Sequence, residues 1–216
     1  MPHINKLTLV LVIFSALFLG SASITRADTI ILSENFNSVP TGGAVTGSVG
    51  AFSITRGSVD VLANGDFGLP CAGGAGRCLD LDGTTGLAAR LESATLTLAP
   101  GNYTLQFDLA GSQRGDTNSV TVSLGSFSEI FILPSDAPYS TITRNLVFST
   151  SISASLIFDH AGGDNIGLLL DNVALTQRDQ AAPVPEPATM LLLGTGIAGI
   201  GAVTRKHRKY PKNKEV

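Results

Sequence analysis

The sequence has no tryptophan, only 6% aromatic residues, two cysteines and three histidines in 216 positions. Without tryptophan there is no broad indole platform for stacking, and a hydrophobic core must be built from phenylalanine and aliphatic side chains. His3, His160 and His207 are scattered, one at the extreme N-terminus and one near the C-terminus. With a single cysteine pair beside them they do not make a zinc constellation. Lysine is missing altogether from Asp28 to Pro187, a stretch that holds six arginines against sixteen aspartates and glutamates, a net charge of −10. The whole chain carries only −3, so an acidic centre is offset by basic ends. Such a centre has no phosphate-binding surface, which excludes nucleic acid as a partner. It is compatible with divalent cations, neutral glycans or basic surfaces, and net charge also keeps an exported domain soluble.

The two ends read as targeting segments and are set aside before the fold is considered. Residues 1–27 read as a signal peptide: Lys6, then an apolar run from Leu7 to Leu19 broken only by Thr8 and Ser15, then Gly20-Ser21-Ala22-Ser23. The run is shorter than the ~20 residues a spanning helix needs, which favours cleavage, after Ala27 or after Ala22 or Ser23. Residues 177–184 read as a polar, proline-containing linker. The stretch from Ala188 to Val203 has no charge and contains Gly194, Gly196, Gly199 and Gly201. At ~1.5 Å per residue it just crosses a hydrocarbon core as a single helix, and its glycines allow close packing there. Arg205, Lys206, Arg208 and Lys209 follow it and hold the C-terminus on the cytoplasmic side. The residues between the signal and this segment are thereby left outside.

Between the ends, residues 28–176 are strand-like throughout. Tyr103, Leu105, Phe107 and Leu109 alternate with polar residues, as do Val120, Val122 and Leu124, and again Ile152, Ala154, Leu156 and Phe158. Period-two alternation marks strands with one buried and one wet face. Further runs are Thr29–Leu32, Phe52–Thr55, Val59–Leu62, Cys78–Leu81, Ala88–Leu91, Ala94–Leu98, Glu129–Leu133, Ile142–Phe148 and Gly167–Leu175. Turn signals separate them, among them Asn64-Gly65-Asp66, Asp82-Gly83 and Pro100-Gly101-Asn102. No internal repeat and no long helical period occurs. The expectation is an all-β, antiparallel sandwich of jelly-roll type. Cys71 and Cys78 flank a glycine-rich loop in a chain bound for an oxidising compartment, and a disulfide between them is predicted.

The C-terminal residues carry a specific resemblance. Pro185-Glu186-Pro187, then a short glycine-rich apolar segment, then the Arg/Lys cluster, is similar to the PEP-CTERM sorting signal over residues 185–209, with 210–216 as a cytoplasmic tail. The resemblance implies a Gram-negative surface protein and a passing inner-membrane intermediate. It also implies processing by exosortase, a membrane-embedded cysteine peptidase that recognises Pro185, Glu186 and Pro187, and an association with exopolysaccharide or biofilm matrix. A looser likeness links Ser33-Glu34-Asn35-Phe36 and Leu170-Asp171-Asn172-Val173 to the strands that open and close choice-of-anchor and carbohydrate-binding jelly rolls. It implies a structural calcium held by Glu34, Asp171 and Asn172, since calcium collects six to eight oxygens.

A few residue groups in the core have a spacing that invites a chemical role. Asp80 and Asp82 on one strand face would place their Cα atoms ~6.5 Å apart, a spacing glycosidases also use, but spacing is cheap among sixteen acids. Asp159-His160 lacks a nucleophile elbow. Arg114-Gly115-Asp116 reads as a hairpin turn. No catalytic residue is assigned. The expected protein is a non-enzymatic, exported surface or matrix component. A calcium-supported carbohydrate-binding module is the alternative, and a glycan hydrolase is the reading from the enzyme class.

Overall fold

The computed structural model describes residues 27–178, which form one compact unit. The signal segment, the linker from 179, the PEP motif, the apolar segment and the basic cluster lie outside the described residues. Thirteen strands follow one another: β1 (Thr29–Glu34), β2 (Gly42–Val49), β3 (Phe52–Ala63), β4 (Arg77–Asp80), β5 (Arg90–Ser93), β6 (Leu96–Leu98), β7 (Gly101–Ala110), β8 (Asn118–Leu124), β9 (Phe127–Leu133), β10 (Ser140–Phe148), β11 (Ile152–Ala154), β12 (Ile157–Ala161) and β13 (Leu169–Arg178). Only two short 3-10 turns interrupt them, both in the loop between β3 and β4.

Every pairing is antiparallel, and the strand order runs β10-β7-β13-β4-β3-β5-β12-β8-β9, with β1 added on β13 and β2 on β3. Strands far apart in this order share one core, so that the two halves of the sheet, β10-β7-β13 and β3-β5-β12-β8-β9, enclose it between them. Phe107 of β7 meets Phe158 of β12 edge-to-face at 5.3 Å and Phe131 of β9 at 5.4 Å, and Phe52 of β3 meets Phe158 at 5.9 Å. The outer strands of the two halves also meet. Arg144 of β10 grips both carboxylate oxygens of Glu129 on β9, at 2.6 and 2.5 Å, and its guanidinium lies over the Phe131 ring at 5.2 Å. The all-β antiparallel sandwich is therefore the fold of this chain. β8 shows why the alternation was a reliable guide, since its residues are buried and half-buried in strict turn.

The structure differs from the expectation at four places. β2 has no apolar alternation in the sequence, and its outward residues are nearly all exposed; it exists because β3 offers it an edge. The two runs Phe52–Thr55 and Val59–Leu62 are one strand with a bulge. Gly57, at φ +66°, sits in that bulge against the carbonyls of Leu87 and Ala88, where a Cβ would collide. Conversely, the single run through Ile152–Phe158 divides, β11 pairing with β6 and β12 with β5 and β8. β13 extends to Arg178, two residues into the expected linker.

Cys71 and Cys78 form a disulfide. It belongs to a small second core with Leu62, Leu69, Ala110 and Leu169, against which Tyr139 packs. The loop is also tied by Asn64, whose side-chain oxygen accepts from Cys71 N (2.9 Å), and by Asp66, which accepts from Ala63 N (2.8 Å). Replacing both cysteines by serine should therefore cost about 2–3 kcal/mol without unfolding the main core. Denaturant unfolding would show a lower midpoint with an unchanged slope, whereas a loss of slope would mean that the loop organises the whole sandwich.

Candidate functional site

One end and one face of the sandwich gather the polar residues that matter. On the outer face of the β3-β5-β12-β8 half, Arg90 pairs in register with Arg56 on one side and Asp159 on the other, and Asp159 pairs with Thr121. Direct cross-strand partners share a face, so these side chains form a row. Arg56 donates from Nη2 to Asp159 Oδ1 (2.6 Å) and to the His160 carbonyl (2.9 Å), and from Nε to the Ala88 carbonyl (3.3 Å). Arg90 donates to the other oxygen of Asp159 (2.7 Å) and to Glu92 (2.7 Å). At this row a groove of about 480 Å³ opens, with Arg56, Leu87, Thr121, Asp159, Gly162 and Gly163 in its lining.

Behind the groove lies a buried acidic cluster. His160 is 1% exposed. Its Nε2 accepts a hydrogen bond from Leu168 N (3.2 Å), so in the neutral ring the proton sits on Nδ1. Burial pushes its pKa down to about 4, against the pull of Asp82, Asp116 and Asp164. Asp82 accepts from Gly163 N (2.6 Å) and Asp164 N (3.1 Å) and so fastens the loop that follows β12. A Cβ on Gly162 would lie 2.5 Å from Asp82 Oδ2 and 3.1 Å from His160 Nδ1, which leaves only glycine at that position. Asp80 accepts from Asp82 N (3.0 Å) and is ion-paired with Arg114. Burial nevertheless raises its pKa to about 6. Asp171 behaves alike: burial raises it to about 6, against donation from the Asn172 and Ala72 amides.

Asp80 and Asp82 are neighbours, but Asp80 ends β4 with an arginine on its carboxylate, and Asp82 lies beyond the strand serving backbone amides. Both are fully buried, so neither presents an acid to a substrate. Asp159 and His160 are adjacent but point apart, Asp159 to the groove and His160 inward with its acceptor nitrogen taken. Arg114 turns in to Asp80, and Asp116 accepts from Ser112 (2.8 Å) and Asn118 (2.6 Å); the tripeptide closes a loop. Glu34 and Asp171 come onto adjacent strands, since Glu34 pairs with Val173. Glu34 spends one oxygen on Phe36 N (2.7 Å) and the other on Ala51 N (2.8 Å). Asn172, at φ +48°, donates to Asp108 (2.7 Å). Among the described residues no three of His, Cys, Asp and Glu form a group able to hold a metal, and Glu34 and Asp171 do backbone work in the expected calcium position.

Arg56, Leu87 and Thr121 were not foreseen. Arg56 and Asp159 are 103 positions apart, and no local pattern announces such a pair.

The C-terminal segment is settled by comparison. Residues 183–208 match the family profile described as the PEP-CTERM protein-sorting motif. The chain carries a PEP-CTERM sorting signal. The signal covers the Pro185-Glu186-Pro187 motif, the apolar segment and most of the basic cluster, and it marks an exported protein sorted by way of the membrane. No characterised protein matches the chain at the level of sequence. Among solved structures, the domain is similar to the C-terminal CBM6 of LamC, a marine laminarinase from Zobellia galactanivorans (12% identity, 68% of this chain and 98% of that one, TM-score 0.40). It is also similar to the CBM22-1 xylan-binding domain of Xyn10C from Paenibacillus barcinonensis (12%, 73% and 99%, 0.42). A third is the module CBM6cm-2 of Cellvibrio mixtus lichenase 5A, solved with cellotriose (12%, 70% and 100%, 0.39). Likeness at this level assigns no ligand to this chain.

Proposed function

We propose that this chain is a non-enzymatic protein of the Gram-negative cell surface or extracellular matrix. It is exported by residues 1–27 and held in the inner membrane by residues 188–203 and the cationic Arg205, Lys206, Arg208 and Lys209. Exosortase then recognises Pro185, Glu186 and Pro187 and cuts the tail, leaving the sandwich among the exopolysaccharide. The observation that carries this reading is the sorting motif at residues 183–208. The interior supports the non-enzymatic part: the acids with raised pKa are sealed inside, one of them on Arg114, and the one histidine of the domain has its acceptor nitrogen on a backbone amide. None of them can reach a substrate.

The test is made in a host with an exosortase. The intact mass of the surface or secreted form should lack residues 188–216. Pro185→Ala combined with Glu186→Ala should leave uncut precursor in the inner-membrane fraction and reduce surface protein by about tenfold or more. A mature mass that still contains the apolar segment would overturn the reading.

A further inference from the structure

We infer that the groove bounded by Arg56, Leu87, Thr121 and Asp159 is a binding site for an uncharged, polyhydroxylated ligand: a pyranose unit of a neutral polysaccharide. The inference rests on the surface-polymer reading above and gives it a site and a ligand class.

Arg56 is fixed by its hydrogen bonds but not saturated by them. Its Nε and Nη2 are committed to two carbonyls and a carboxylate, so the guanidinium plane is held. Its Nη1 makes no hydrogen bond among the described residues, and the side chain is 53% exposed. Asp159 receives one arginine N–H on each oxygen, and a carboxylate has about four acceptor positions, so acceptors remain free. The Thr121 hydroxyl is likewise unengaged among the described residues. A held donor beside a held acceptor is what two neighbouring hydroxyls of a sugar ring need, and the protein side has been ordered in advance.

Charge and shape select the class. The row holds two arginines, Arg56 and Arg90, against Asp159 and Glu92, and is neutral as a unit. In a domain whose six arginines face fourteen aspartates and glutamates, a net charge of −8, it offers no surplus cation to a uronate, sulfate or phosphate, and no surplus anion to a cation. Leu87 is 64% exposed on the groove wall, an apolar surface suited to the C–H face of a ring. Gly162 and Gly163 add only backbone to the lining, and a side chain at 162 would collide with Asp82. The size of the groove falls within the range of ligand sites.

The experiment uses the full chain in detergent micelles, titrated by calorimetry with neutral gluco-, xylo- and galacto-oligosaccharides of about six units, and with oligogalacturonate as the charged probe. At least one neutral probe should bind, and Arg56→Gln and Leu87→Ala should each weaken it by about tenfold. Leu87→Ala alters an exposed side chain and should leave the thermal midpoint unchanged, so lost affinity there is not unfolding. Undiminished binding in both variants would overturn the groove while leaving surface sorting intact. Binding of oligogalacturonate as tight as that of the neutral probes, or no binding of any neutral probe by the unaltered chain, would overturn the ligand class. The tail-processing test fails or succeeds independently of all three results.

Discussion

Phe107→Ala should destabilise the domain by about 3–5 kcal/mol, a large part of the 5–15 kcal/mol that holds a typical domain folded. Phe107 is fully buried and touches both Phe131 and Phe158 edge-to-face. Its ring thereby joins β7 in one half of the sandwich to β9 and β12 in the other. Removing the ring leaves a cavity between Phe131 and Phe158, and the geometry of the aromatic pairs is lost along with the buried area. Phe67→Ala is the control. Phe67 is 87% exposed, and its loss should change stability by no more than about 0.5 kcal/mol. Urea unfolding of the two variants would separate them clearly. A cost below about 1 kcal/mol at Phe107 would mean that the halves are not joined through this ring.

The domain should be more stable at pH 4.5 than at pH 7.5, the reverse of the usual acid response. Asp80 and Asp171 titrate near 6 in the folded state against 3.8 in the unfolded chain, mainly because they are buried. A folded carboxyl with a raised pKa holds its proton more tightly than the unfolded chain does. Stability therefore falls as pH rises from about 4 to 6, by up to about 3 kcal/mol for each group. His160 acts the other way. Its folded pKa is near 4 against 6.5 unfolded, so its neutral burial favours the fold above pH 6.5 and is lost as pH falls toward 4. Two groups against one leave a net gain on acidification. Asp80→Asn should shrink the difference in unfolding free energy between pH 4.5 and 7.5, and His160→Gln should enlarge it. Reading the difference between two pH values keeps the test independent of any hydrogen bond the substitution removes. Unfolding free energies that rise steadily from pH 4.5 to 7.5 in the unaltered chain would contradict the burial of these carboxyls.

Much of the fold was legible because local chemistry and burial agree along β7, β8 and β12. There alternate residues enter the core, and the pattern in the chain is the pattern in space. β2 was not legible, since its glycine-rich run is held only by its pairing with β3. The division of Ile152–Phe158 into two strands was hidden for a related reason: alternation continues across the break, and only the partners differ. Among site residues, the Cys71–Cys78 pairing followed from spacing and compartment. Asp80 and Asp82 attracted notice as a pair of acids, but whether they face water or an arginine depends on loops far away in the chain. Asp60 at one end and Arg114 at the other both act on Asp80.

Two properties of this protein are carried by the chain as written. Its sorting signal is read as a linear string, Pro185-Glu186-Pro187 followed by apolar and then basic residues, and needs no folded partner to be recognisable. Its all-β class follows from period-two alternation, which reports burial residue by residue. Only the tertiary structure decided the groove, because Arg56, Leu87, Thr121 and Asp159 come from four separate segments and acquire a shared environment through register alone. It also decided which acids are sealed and which are free, since desolvation is a property of everything packed around a carboxyl and leaves no mark in the residues beside it.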